Sequence, residues 1–232
     1  IIVLAPWYKR WWAYLIFALI VFSTAYLVYR YKVNQIFKYQ TLRTKISSDL
    51  HDDVGTLLSS LAMQSDVLGL DAPPEKMKRF EKFSSLSREA MDRMRDTVWA
   101  IDSKKDNMVS LIDRMADYVA DIYDDQDIKI KFEPNVSKVY SKLAPDMRQN
   151  IYLIFKEALH NAIKHSSGDK INIKLTQTSN HLSLSITDNG TSSVIKSSGL
   201  GLSNMKMRAK RINGDLSISN KNGFEVLLTV TE

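Results

Sequence analysis

The chain has 232 residues, enough for one or two domains, and 32 Lys and Arg against 26 Asp and Glu give it a net charge of +6. It holds no Cys, which excludes a disulfide framework, a thiol nucleophile and a Cys-ligated zinc site. At 44% hydrophobic and 25% charged, the composition also excludes wholesale disorder, a collagen-like repeat and a polytopic membrane protein.

The first residue is Ile, which predicts a longer parent chain, and residues 1–10 read as the end of an extracytoplasmic region. Residues 11–29 carry no charge. As a helix they would measure roughly 28 Å, close to the thickness of a bilayer's hydrocarbon core. Trp11, Trp12 and Tyr14 stand at one end and Tyr26, Tyr29 and Tyr31 at the other, as interfacial aromatic belts do. Lys9 and Arg10 flank one side; Arg30, Lys32, Lys38, Arg43 and Lys45 flank the other. That bias places residues 30 onward in the cytoplasm, and the protein in the inner (cytoplasmic) membrane as a single-pass chain.

Past the membrane the pattern is helical. Ile36, Tyr39, Leu42, Ile46, Leu50, Val54, Leu57 and Leu61 recur in steps of three and four, with Leu68 further on. Residues 71–74, Asp-Ala-Pro-Pro, stop that helix, and Pro74 and Glu75 suit the first turn of the next. There Met77, Phe80, Ser84, Ser87, Met91, Met94, Val98 and Ile101 form a heptad-like seam, with a second row at Phe83, Leu86, Ala90 and Thr97. Two helices alone cannot bury a face that wide. Residues 30–102 are therefore expected to form a hairpin that dimerises into a four-helix bundle.

Residues 103–107, SKKDN, read as a linker, and a domain of different texture follows over 108–232. Helices are expected over 108–125, 143–166 and 200–213. Alternating strands are expected over 128–132, 170–178, 181–188, 215–219 and 224–230, the last four as two hairpins. This is an α+β layer, with helices on one face of a mixed, mostly antiparallel sheet.

Four short stretches carry chemistry. In the first, Ser48-Asp-Leu-His-Asp-Asp-Val-Gly55, His51 lies about 100° around the helix from Leu50 and so faces away from the core. A neutral imidazole beside a carboxylate can attack phosphorus while the acid takes its proton. Gly55 is expected one turn on, over His51, clearing space for something bulky. In the second, Glu157, Asn161 and Lys164 share one helix face, a set suited to a magnesium–triphosphate. In the third, Asp188-Asn189-Gly190 ends a strand, where Asp188 could accept the exocyclic amine of adenine. In the fourth, Gly199-Leu200-Gly201-Leu202 opens a helix, where backbone N–H groups can meet phosphate, and residues 193–198 would form a short lid. Each has a plainer reading alone: a solvated polar face for the first two, a DNG turn, and a weak GxG.

In this order the four closely resemble a sensor histidine kinase over about residues 35–232. The HDxxG form of the first motif, the short hairpin and the run GLGLSNMKMRAKRINGDL resemble the nitrate-sensor and thermosensor branch. The resemblance implies a catalytic domain of the Bergerat ATP-binding fold, an α/β sandwich shared with gyrase, Hsp90 and MutL. It implies phosphorylation at His51 with Asp52 as proton acceptor, Asn161 as a magnesium ligand, and Glu157 orienting water or metal. Lys164 and His165 would lie by the phosphates, Asp188 would bind adenine backed by Gly190, and Gly199 and Gly201 would cradle the triphosphate. The implied cofactors are ATP and Mg2+. The implied partners are a second copy of the chain and a response regulator with a DNA-binding helix-turn-helix output. Direct nucleic-acid binding is not expected, since beyond residue 29 the charge falls to 30 against 26 with no aromatic–basic interleaving.

Two departures stand out. Thr56 occupies the place where the family often has a Gln linked to phosphatase activity, and no further glycine follows Gly190 two residues on. Two rival readings keep part of the pattern: a Bergerat-fold ATPase that uses Glu157 to activate water, and a non-enzymatic membrane scaffold.

Overall fold

The computed structural model describes residues 8, 10–70, 72–123, 128–136, 142–165, 168–178, 181–190, 200–220 and 223–231. Helix α1 (Trp11–Asp49) runs into a π-helical turn, Leu50–Val54, and then α2 (Gly55–Leu70), without a break in the rod. The uncharged stretch and the His51 segment therefore lie on one continuous helix. Its N-terminal part is long and apolar enough to cross a membrane, and no residue of that apolar window is buried.

Helix α3 (Pro74–Ile101) returns alongside α2. Its inward row follows the sequence seam: Ser84, Ser87 and Ala100 are buried, and Phe80, Met91, Met94, Val98 and Ile101 are half-buried. The first helix differs from expectation. Its inward row is small, with Ser47, Ala62, Ser65 and Gly69 buried, while Ile46, Val54, Leu57, Leu61 and Leu68 stay exposed. The physical reason is close approach: small side chains let α2 and α3 pack tightly, so the larger apolar row turns outward. Phe83 and Leu86 of α3 are exposed as well.

The remaining residues form two layers. A five-stranded sheet has the order β1-β2-β3-β5-β4. Strand β1 (Lys129–Val136) pairs parallel with β2 (Lys170–Gln177). Strand β3 (His181–Asp188), β4 (Gly214–Ser219) and β5 (Glu225–Thr231) complete it with antiparallel pairings. Alternate residues Ile171, Ile173, Leu175, Leu182, Leu184, Ile186, Val226, Leu228 and Val230 are buried in one core with α4 (Met108–Tyr123), α5 (Pro145–His165) and α6 (Leu200–Arg211). The mixed sheet covered by helices is the expected architecture. Strand β1 extends four residues beyond its predicted end at residue 132, because it pairs with β2 along its whole length, from Lys129–Lys170 to Val136–Gln177.

The segment read as a linker is ordered. Ser103–Lys105 is a 3-10 turn whose Lys104 N–H donates to Asp102 Oδ1 (3.0 Å), and Asn107 bridges to Lys142. Arg148, fully buried near the start of α5, fixes this junction. Its Nη2 donates to the carbonyls of Trp99 (2.9 Å) and Ala100 (2.8 Å), and its guanidinium lies 4.4 Å over the Trp99 ring. These are carbonyls that the end of α3 leaves without helical partners, where a cation is favoured. Asp106 completes the charge balance, 3.3 Å from Arg148 and 2.9 Å from Arg43 of α1. Burial lowers the affinity of Arg148 for its proton, and the Asp106 carboxylate works against that.

Removing one side of such a buried charge network typically costs ~3–5 kcal/mol. Arg148→Ala is expected to lose stability on that scale in urea denaturation of the full chain, whereas Arg93→Ala, whose exposed ion pair is with Glu89, should change it by less than ~1 kcal/mol. Equal effects of the two variants would contradict the assignment.

Candidate functional site

Two groups of residues stand apart in the fold. The first lies on the hairpin. His51 and Asp52 sit in the π-helical turn, both exposed. The turn closes with the Gly55 N–H donating to the Leu50 carbonyl, an i to i+5 bond. His51, Asp52, Gly55, Thr56 and Ser59 line a groove whose far wall is Met91, Met94 and Arg95 of α3. Gly55 does share the His51 groove, but a Cβ there would come within 3.3 Å of Met94 Cε, so the glycine also admits α3. Thr56 Oγ1 donates to the Asp52 carbonyl at 2.6 Å, and Ser48 Oγ donates to the Asp52 carboxylate at 3.4 Å.

The second group lies where α5, α6 and the ends of β3 and β5 meet. Helix α5 buries Ala158, Leu159 and Ala162 against the sheet. That orientation leaves Glu157 and Asn161 half-buried and carries Lys164 and His165 into solvent. Glu157 packs on the first turn of α6: a methyl group at Gly201 would fall on the Glu157 carboxylate. Asp188, 7% exposed, ends β3. Its Oδ1 accepts the Gly190 N–H at 2.7 Å, while its Oδ2 is buried with no hydrogen-bond partner among the described residues. Asn189, between them, serves the frame: its Oδ1 accepts the Lys170 N–H (2.9 Å) and its Nδ2 donates to Asp169 (2.9 Å). Gly199 and the lid read at 193–198 lie outside the described residues.

The structure thus joins Glu157 to Gly201 and Asp188 to Gly190, and it sets His51 and Asp52 in a separate groove. It adds residues that sequence reading missed. Lys156 of α5 and Arg114 of α4 both bind Asp96 of α3, at 2.6 and 3.0 Å, which ties both helices to the hairpin. Burial, with the nearby Asp96 and Glu157 carboxylates, pushes the Tyr118 phenol up to about 12, so it is the neutral ring that stacks under Lys156 at 5.2 Å. Phe224 also reaches Asp188, through main-chain atoms: its N–H donates to Oδ1 at 3.3 Å.

A buried carboxylate oxygen without a partner is costly unless something supplies a donor. An amine on a flat, apolar base supplies one. The glycine-lined start of α6 and the carboxylate–amide pair on α5 fit the phosphate end of the same ligand.

A histidine kinase family model matches residues 43–106, and the model described as histidine kinase-, DNA gyrase B-, and HSP90-like ATPase matches residues 147–232. The chain is 26% identical over 180 residues to the sensor histidine kinase YxjM of Bacillus subtilis (strain 168), covering 76% of this chain and 44% of that protein. It is 28% identical over 192 residues to YvfT (81% and 50%) and 25% identical over 198 residues to DesK (81% and 50%), both sensor histidine kinases of the same organism. The chain therefore spans about half the length of the curated relatives it matches. Among solved structures, full-length ShkA in complex with AMPPNP shares the fold, with a TM-score of 0.50 and 11% identity over 83% of this chain and 45% of that one. The chain thus carries a histidine kinase domain, a helical hairpin with an exposed His, followed by an ATPase-type sheet domain that implies ATP binding.

Gly201→Ala is expected to hold its unfolding free energy within ~1 kcal/mol, because alanine gains helix propensity. It should nevertheless shift the Glu157 carboxyl resonance in NMR, and an unshifted resonance would contradict the packing described.

Proposed function

We propose that this chain is the kinase part of a membrane sensor that phosphorylates itself on His51 from MgATP and passes the phosphoryl group to an aspartate of a response regulator. The observation that carries the reading is Asp188 Oδ2, a buried acceptor that a 6-aminopurine would satisfy. In the transfer a neutral His51 nitrogen attacks the γ-phosphorus, the bond to the β–γ bridging oxygen breaks, and ADP leaves. The other ring nitrogen then gives up its proton to Asp52. Asn161 would hold Mg2+, which neutralises phosphate charge, with Glu157 beside it. Among the described residues no three His, Asp or Glu converge as a metal cage, in keeping with a magnesium ion carried mainly by phosphates and water. Lys164, His165, Gly199 and Gly201 would complete the phosphate end.

The family implies a dimer and a response-regulator partner. The exposed row Leu57, Leu61 and Leu68, with Phe83 and Leu86, supports the dimer. These side chains are roughly half exposed, so covering each would contribute on the order of 1 kcal/mol, and a second hairpin is the partner this reading assigns to them. We further propose that the regulator has a DNA-binding helix-turn-helix output, that residues 11–29 cross the cytoplasmic membrane, and that the catalytic part faces the cytoplasm. The division at residues 30–102, 103–107 and 108–232 belongs to the same reading. Thr56 in the place of Gln, its hydroxyl engaged by the Asp52 carbonyl, favours kinase over phosphatase activity.

The test is incubation of the full chain with γ-labelled ATP and magnesium. The wild type should take up acid-labile, base-stable label. His51→Gln should bind ATP and stay unlabelled, and Asp188→Asn should lose ATP binding by roughly tenfold or more, the scale of one buried charged hydrogen bond. ATP hydrolysis with no label on the wild type would turn the reading toward a plain ATPase.

A further inference from the structure

The two oxygens of Asp188 are treated differently, and the residues that enforce this come from two separate segments of the chain. Oδ1 is held twice, by the Gly190 N–H at 2.7 Å and the Phe224 N–H at 3.3 Å; Oδ2 is buried and has no partner among the described residues. The Gly190 bond is local and turns with the end of β3. The Phe224 bond spans 36 residues and is delivered by the main chain just before β5. The same two residues are joined again by the Asp188 N–H, which donates to the Phe224 carbonyl at 3.0 Å. The approach has a strict requirement at the preceding residue. Gly223 has φ +102°, a conformation that L side chains rarely adopt. A Cβ there would fall on the Asp188 carbonyl oxygen and lie 3.0 Å from Oδ1.

We infer that Gly223 and the Phe224 amide are positioning residues for nucleobase recognition. They pin Asp188 by Oδ1 so that Oδ2 is the oxygen offered to the 6-amino group of a purine. Base selectivity is therefore set by the β4–β5 hairpin together with the Asp-Asn-Gly turn. The inference rests on the nucleotide reading above. With one clamp removed, the carboxylate rotates and the amine loses its acceptor. A 6-oxo purine, which presents an acceptor to that carboxylate, gains nothing from the correctly set oxygen and loses little when it moves. Phe224's side chain, 9% exposed, belongs to the core and has a separate role.

The test measures MgATP and MgGTP affinity of the full chain in detergent micelles by calorimetry, for wild type, Gly223→Ala and Phe224→Leu. Gly223→Ala should weaken ATP by roughly tenfold and GTP by less than about twofold, collapsing the ATP-to-GTP preference, the effect of one lost buried hydrogen bond. Phe224→Leu keeps the amide and should keep the preference. A folded Gly223→Ala with the wild-type preference overturns the inference. If that variant does not fold, amide NMR of the wild type decides: the Gly190 and Phe224 N–H signals should shift with adenosine and not with tripolyphosphate. A Phe224 signal indifferent to adenosine overturns the inference. A wild type that binds no ATP brings down the nucleotide reading itself, and the inference with it.

Discussion

A buried guanidinium has to be matched where it sits, and Arg148 is matched by three groups at once, two at the end of α3 and one just beyond it. It takes the last carbonyls of α3, the Asp106 carboxylate and the face of Trp99. Asp106 in turn holds Arg43, on the helix that carries the apolar stretch. Around this centre Trp99 packs at a tilt against Tyr152 at 5.1 Å, and Tyr118 meets Phe155 edge-on at 5.9 Å. Eight residues further along α5, Lys156 reaches Asp96. The helix that bears Glu157 and Asn161 is thus held to α3 at two points, one on each side of Trp99. Charges buried this way contribute little net stability compared with apolar substitutes, but they specify one arrangement. Here the arrangement specified is the seat of the ATPase-type domain on the hairpin.

That seat orders the chemistry. The acceptor histidine lies on a solvent-facing groove of the hairpin. The groups suited to a nucleotide lie across α5, α6 and the ends of β3 and β5. In the proposed reaction neither half is complete without the other: the groove would offer a nucleophile and a proton acceptor, and the sheet domain a base acceptor and a phosphate end. Arg43 gives the helix from the apolar stretch a direct contact with the junction.

Much of this was legible in the residues. The period of α3, the alternation of β2, β3 and β5, and the glycine-marked turns carry local rules that one sequence displays. The i, i+4, i+7 stripe on α5 was legible for the same reason. The inward face of the first helix was not. A row of Ser, Ala and Gly carries no hydrophobic signal, and its burial depends on how closely α3 approaches, so the larger leucines drew attention instead. Arg148 and Asp96 were invisible for a related cause: a charge on a helix reads as solvated until the fold brings partners 48 and 60 residues distant. Phe224 escaped because it acts through its amide, which no side-chain pattern reports.

The central claim is that this fold delivers a phosphoryl group to one particular side chain. Peptide mass spectrometry of the full chain after incubation with MgATP, kept at alkaline pH to preserve phosphohistidine, tests it most directly. The account predicts phosphate on the peptide containing His51, assigned to His51 itself. Phosphate on Ser48, Ser59 or any other residue in place of His51 would contradict it.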